Sequence, residues 1–283
     1  MTEIIDSHQH FWVLGMEGYD QSFLSDKKRA KIRQSYLPQD LEAATSTTPV
    51  NRSIFVQTQH HVAENDWALA LADRHDFIAG VVGWVDLAST SCEDQILTYK
   101  DYPKFVGVRH VTHDEPDKDF ILRDDVLKGL ALLEKHQLPF DLLFFQHHLH
   151  HAVTLAKAFP KLRLVIDHLS NPSIAEGLFG LWEKNFRAAA EFPNIFCKLS
   201  GMITQASWKT WTASDLQPYV DIAIEAFGPN RLMFGSDWPV CLLAGTYPEV
   251  YNSLNQILTR LDESERMQIL GITAQRFYQL PKP

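Results

Sequence analysis

The sequence predicts an α/β protein, a (β/α)8 barrel, on three observations. Eight short apolar runs recur along the chain, segments of helical character separate them, and the length of 283 residues is close to the roughly 250 that such a barrel commonly uses in one domain. One domain over residues 1–283 is therefore expected. The runs are rich in Val, Ile, Leu and Phe with little polar alternation, as parallel strands covered on both faces require.

Taken in order, the first run, Ile4 to Asp6, leads into Asp6-Ser7-His8-Gln9-His10. In an extended chain, residues i and i+2 project to the same side, so His8 and His10 can aim both imidazoles at one point. A connection of 27 residues, Phe11 to Leu37, precedes the helix signal Pro38-Gln39-Asp40-Leu41. Loops of that length are usually functional or disordered; Trp12, Tyr19, Phe23 and Tyr36 suggest a packed lid over the active site. Its basic run, Lys27 to Arg33, is expected to be a solvated face.

The second run, Ser53 to Gln57, points toward Gln59, and a helix follows at Asp66 to Asp73. Phe77 to Val85 and Phe105 to Arg109 are the third and fourth runs, the latter ending beside His110. Between Asp124 and His136, Val126, Leu127, Leu130 and Leu133 fall at helical intervals. The fifth run, Phe140 to Phe145, enters Gln146-His147-His148; the sixth, Leu162 to Asp167, ends at His168. The seventh, Ile195 to Leu199, carries Lys198, and the eighth, Leu232 to Gly235, opens into Ser236-Asp237-Trp238-Pro239. Pro139, Pro160, Pro193 and Pro229 mark returns to a strand. No Gly-x-Gly-x-x-Gly turn follows the first run, which weakens a dinucleotide-binding alternative.

A formal charge of -9 argues against a nucleic-acid or anionic-membrane partner. No run reaches the roughly 18 apolar residues of a membrane span, and no positively charged, apolar leader is evident at Met1 to Asp6. Three widely spaced cysteines, Cys92, Cys197 and Cys241, fit a reducing compartment. A cytoplasmic location is expected, with oligomeric state, including a homo-oligomer, left open.

In a barrel the active site lies at the C-terminal ends of the strands. There the sequence delivers His8, His10, Gln59, Arg109, His110, His147, His168, Lys198 and Asp237. A histidine cluster with a carboxylate suggests hydrolysis: a nucleophilic water, an acceptor for its proton, and donors for a developing oxyanion.

Together, Asp6-Ser7-His8-Gln9-His10-Phe11-Trp12, Gly107-Val108-Arg109, Asp167-His168-Leu169-Ser170-Asn171-Pro172, Lys198-Leu199-Ser200-Gly201 and Gly235-Ser236-Asp237-Trp238-Pro239 resemble the amidohydrolase superfamily. The similarity is to its amidohydrolase-related branch, which includes sugar-lactone and pyrone-dicarboxylate lactone hydrolases, and runs to the closing segment Ile272 to Tyr278. The resemblance implies a metal-dependent-hydrolase-like barrel in which Asp237 is the general base, while His8, His10 and His168 bind a metal or polarise the carbonyl. One divalent cation, zinc or manganese, on His8, His10, His168 and Asp237 and metal-independent catalysis are both open. The fifth run lacks a histidine ligand and no bridging lysine or glutamate is evident, so a two-metal site is not expected.

Substrate contacts are expected from Arg109, His110, Trp12, Gln59, Lys198, Trp238 and His147, although Arg109 could instead pair with a carboxylate such as Asp86. His147 and His151, at i and i+4, could be solvated helix residues or a zinc pair. The expected activity is opening of a small polar lactone of the L-fucono or L-rhamnono type. The alternatives are a pyrone-dicarboxylate-type lactonase, a metal-dependent decarboxylase, and a noncatalytic sugar-acid-binding barrel.

Overall fold

The computed structural model describes residues 3–281. Its strands are β1 (Ile5–Gln9), β2 (Arg52–Val56), β3 (Ile78–Gly83), β4 (Phe105–His110), β5 (Phe140–Leu142), β6 (Leu164–Ile166), β7 (Ile195–Leu199) and β8 (Leu232–Phe234). They form one eight-stranded sheet in sequential order, and each neighbouring pair is parallel. A parallel bridge between Gln9 and Trp238 brings β1 back to β8. There the His10 N–H donates to the Trp238 carbonyl at 2.7 Å and the Asp237 N–H to the His8 carbonyl at 2.8 Å. The (β/α)8 barrel expected from the apolar runs is the observed architecture.

Parallel neighbours need crossovers. They are supplied by the helices Pro38–Thr45, Ala63–Arg74, Cys92–Tyr99, Asp124–Lys135, His150–Ala158, Gly180–Ala190 and Ala213–Phe227, with Tyr247–Ile257 after β8. The third, fifth and sixth strands are shorter than their apolar runs. Val85, Leu143, Phe144 and Leu162 lie outside the ladder but remain buried, so hydrophobicity there marks packing of the connections rather than strand pairing.

Period-two alternation decides what enters the barrel. Phe140 and Leu142, Leu164 and Ile166, Cys197 and Leu199, and Leu232 and Phe234 join the layer under the helices. Between them Val165 and Met233 join a separate cluster with Ile5, Ile54 and Val56, against which the C-terminal residues Phe277, Tyr278 and Leu280 pack. Asp141 and Lys198 occupy the same alternating positions and are fully buried. The inward set is thus apolar toward one end and charged toward the other.

The connection after β1 has a closed base. Trp12 and Tyr36 exchange both backbone hydrogen bonds, at 3.1 and 2.9 Å, and two 3-10 turns, Ser22–Ser25 and Lys27–Ile32, lie between them. Of the basic run, Arg33 is structural: it donates to the carbonyls of Leu24 at 2.7 Å and Ser25 at 2.8 Å. Lys27, Lys28 and Lys31 are exposed, as a solvated face requires.

Candidate active site

β1 carries the first two histidines into the barrel end, and a buried carboxylate joins this strand to β8. Asp6 accepts from the Ser236 N–H at 2.8 Å, the Ser236 hydroxyl at 2.5 Å, the Tyr247 hydroxyl at 2.9 Å and the His8 N–H at 3.1 Å. These bonds fix the turn that presents Asp237. Burial pushes the Asp6 carboxyl up to about 6 against the opposing effect of those donors.

Asp237 Oδ1 is the point of convergence. His10 Nε2 lies 3.5 Å away, His168 Nε2 3.9 Å and His8 Nε2 4.0 Å. Each imidazole is held through its other nitrogen. His10 Nδ1 is 2.7 Å from the Val56 carbonyl, an obligate acceptor, so Nδ1 carries a proton. His168 Nδ1 is 2.8 Å from the Ser200 hydroxyl. Burial lowers the His168 pKa.

His8 sits on a buried charge network drawn from four further strand ends. Lys198 donates to Asp141 at 2.5 Å and pairs with Asp167 at 3.0 Å; Arg109 pairs with Asp167 at 3.3 Å; and the Tyr278 hydroxyl lies 2.9 Å from both Asp141 oxygens. Burial holds His8 well below the ordinary histidine range, so its ring is neutral. Its Nε2 lies 3.2 Å from Arg109, and its Nδ1 lies 3.1 Å from the Lys198 ammonium and 3.3 Å from Asp167, so each ring nitrogen faces a cationic donor. Burial alone would raise Asp167, but Lys198, with His8 and Arg109, outweighs it and holds the carboxyl well below its usual range.

Above this floor lies a cavity of about 640 Å³, lined by His10, Arg109, His168 and Asp237 together with Trp12 and Gln59. These six were expected from the sequence. His8 closes the floor from beneath, fully buried.

Four expected substrate contacts lie off the cavity wall. His110 is stacked 3.9 Å from His60 and 4.6 Å from Phe120, donates to Glu115 at 2.6 Å and accepts from Trp84 at 3.1 Å; His60 lines the cavity in its place. Lys198 is sealed beneath His8 because the period-two alternation of β7 turns it into the barrel. Trp238 packs behind the site against Phe11 and Tyr36. His147 is exposed on the turn Gln146–His148, outside the wall, while Phe145 lines the cavity. Arg109 pairs with Asp167 rather than Asp86. Asp20, His113, Asp114, Asn171 and Trp208 also line the cavity; they sit on irregular connections, where no periodicity announces direction.

Two groups bring three ligating side chains together among the described residues. In His60, His110 and Glu115 the imidazoles are stacked at 24°, and near-parallel rings cannot both direct an in-plane lone pair at one ion. The His8, His168 and Asp237 set, with donor atoms within 4.8 Å of one another, suits one divalent ion. Its histidines are held through their second nitrogens, as metal-binding imidazoles usually are, and His10 Nε2 lies 3.5 Å from the same Asp237 oxygen. Arg109 lies 3.2 Å from His8 Nε2, the same nitrogen that faces Asp237.

Residues 5–280 match the family model described as Amidohydrolase. The chain is 37% identical to the L-fucono-1,5-lactonase of Burkholderia ambifaria, over 100% of this chain and 98% of that protein. It is 36% identical to the L-fucono-1,5-lactonase of Burkholderia multivorans, over 99% and 97%. A crystal structure of an amidohydrolase from Burkholderia multivorans with bound zinc superposes with a TM-score of 0.92 at 35% identity, covering 99% of this chain and 100% of that one.

Proposed function

This chain belongs to the amidohydrolase family, and we propose that it opens a neutral sugar lactone of the L-fucono-1,5-lactone kind, using a water that Asp237 deprotonates. The observation that carries the reading is the approach of three imidazole nitrogens to one Asp237 oxygen, within 4.0 Å, at the floor of an open cavity. The similarity to two L-fucono-1,5-lactonases over nearly their whole length supports the substrate class.

Asp237 accepts the proton of the attacking water as its oxygen bonds to the lactone carbonyl carbon. The tetrahedral oxyanion then needs a donor. Arg109 has four N–H groups engaged, with His8, Asp167 and both oxygens of Gln57, and its buried Nε–H has no partner. Its guanidinium, on the cavity wall, supplies positive charge for the carbonyl oxygen. As the intermediate collapses, the ring C–O bond breaks and Asp237 returns the proton to the leaving oxygen, giving the hydroxy acid. A divalent ion on His8, His10, His168 and Asp237 would add Lewis acidity and a more acidic water.

The wall favours an uncharged substrate. Asp20, Asp26, Asp114, Glu115 and Asp237 line the cavity against Lys28, Arg29 and Arg109. Arg109 is already paired and Arg29 donates to the Phe23 carbonyl. A dicarboxylated lactone or an aromatic acid would meet more negative charge than positive, whereas lactone hydroxyls suit carboxylate acceptors. Residues 11–37, with Trp12, Asp20, Phe23 and Lys28 on the wall, act in this reading as a lid on a single barrel domain.

The test is acid release from a panel of five- and six-membered aldonolactones, before and after chelation and with zinc or manganese returned. Turnover confined to one stereochemical series of neutral lactones is expected. Turnover only of carboxylated lactones, or of none, contradicts the proposal.

A further inference from the structure

Asp167 and His168 are adjacent in sequence, yet both side chains face the barrel interior. Asp167 meets Lys198 and Arg109, while His168 meets Ser200 and approaches Asp237. In an extended strand neighbouring side chains point to opposite faces, so something must turn the chain between them. His168, Leu169, Ser170 and Asn171 have φ of 52, 51, 61 and 51°, four consecutive non-glycine residues in the left-handed region. L-residues visit that region mainly as single residues, so a run of this length persists only where its surroundings over-determine it.

The restraints are visible on every side. The Asn171 N–H closes the turn on the His168 carbonyl at 2.8 Å. The Asn171 amide donates to the Phe144 carbonyl at 2.9 Å and the Ser170 hydroxyl to the Phe145 carbonyl at 3.2 Å. From the helix Gly180–Ala190, the Trp182 indole N–H donates to the Leu169 carbonyl at 2.7 Å. Trp182 is fully buried, and it takes no part in the cavity wall. On the opposite side, Gly201 packs against the imidazole so closely that a Cβ there would lie 2.7 Å from His168 Nδ1.

We propose that Trp182 and Gly201 are positioning residues for His168: the Trp182–Leu169 hydrogen bond holds the left-handed turn, and the bare Gly201 backbone admits the ring beside Ser200. The catalytic consequence rests on the lactonase reading; the geometric one does not. A displaced imidazole leaves substrate binding by the rest of the wall intact and degrades the reacting arrangement.

The experiment uses Trp182→Phe, which retains an aromatic ring against Phe186 and Tyr219 and removes the N–H, and Gly201→Ala, which leaves Trp182 untouched. Steady-state kinetics on the best lactone of the panel are paired with ¹H–¹⁵N spectra of histidine-labelled, metal-free protein, the His168 signals assigned from a His168→Gln sample. For each folded variant kcat falls by at least about tenfold with KM within about twofold, and the His168 ring resonances shift. Wild-type kcat with unmoved His168 resonances in a folded variant overturns the assignment for that residue. If the wild-type protein opens no lactone, the functional reading fails and the spectra alone decide the positioning claim. Should Trp182→Phe not fold, Trp182→Leu, which also removes the N–H, carries the Trp182 test by the same two readouts, while Gly201→Ala decides the Gly201 claim.

Discussion

At the scale of single residues, the site depends on buried charges that compensate one another. Lys198 is the clearest case: fully buried, it stands between Asp141 and Asp167 and touches His8. Lys198→Met removes one cation and leaves two buried carboxylates facing each other. Breaking a buried pair in this way typically costs about 3–5 kcal/mol, and urea unfolding of the variant is expected to show a loss of that size. An unchanged midpoint would mean that the carboxylates are neutral and the network carries no charge. Much of this site was legible in the sequence because its residues lie on strands or within three residues of their C-terminal ends. His8 and His10 follow from i, i+2 spacing, and Asp237 from its place after the eighth apolar run. What spacing could not show was depth. Lys198 and Trp238 sit at the correct strand ends, but Lys198 belongs to the support beneath the site and Trp238 packs behind it.

At the scale of elements, close backbone contacts set how helices lie on the barrel. Gly129, in the helix Asp124–Lys135, packs so that a Cβ would meet the Leu87 carbonyl oxygen and lie 2.8 Å from the Leu87 Cα. Alanine is a better helix former by about 0.8–1 kcal/mol, whereas overpacking against rigid backbone costs about 1–3 kcal/mol. Gly129→Ala is therefore expected to be destabilising on balance, and a raised thermal midpoint would contradict the contact. A second element-scale prediction concerns the histidine-rich segment after β5. Burial, then the neighbouring His147, His151, His113 and His150, push buried His148 down to about 4. The unfolded chain takes up this proton below about pH 6.5 and the native state resists until about 4. This contribution to stability is thus lost as pH falls through that window, by at most about 1.4 kcal/mol per pH unit before solvent screening lowers it. His148→Phe should lose less stability than the wild type between pH 7 and 4.5 in urea titrations; parallel curves would refute the assignment. The left-handed turn at 168–171 lay beyond sequence reasoning, because Leu169 and Ser170, between the more tolerant His168 and Asn171, have no marked preference for positive φ.

At the scale of the whole molecule, the fold was legible because a parallel barrel writes itself into sequence as repeated apolar runs with helices between them. All eight runs contain strands. The connections were less legible: lengths and aromatic content marked 11–37 as unusual, but not which of its residues reach the cavity. Among the described residues no helix is long and apolar enough to cross a membrane. The barrel gathers groups from opposite ends of the chain, His8 and Asp237 above all, onto one floor, and the account stands on what Asp237 does there. The most direct measurement is kcat and KM of Asp237→Asn on the lactone the wild type opens best, since the substitution preserves shape while removing the base. If Asp237 is the base, kcat falls by about 10²–10⁴-fold, as loss of a general base does, with KM little changed. A variant that retains wild-type kcat would contradict that role and remove Asp237 from the chemistry.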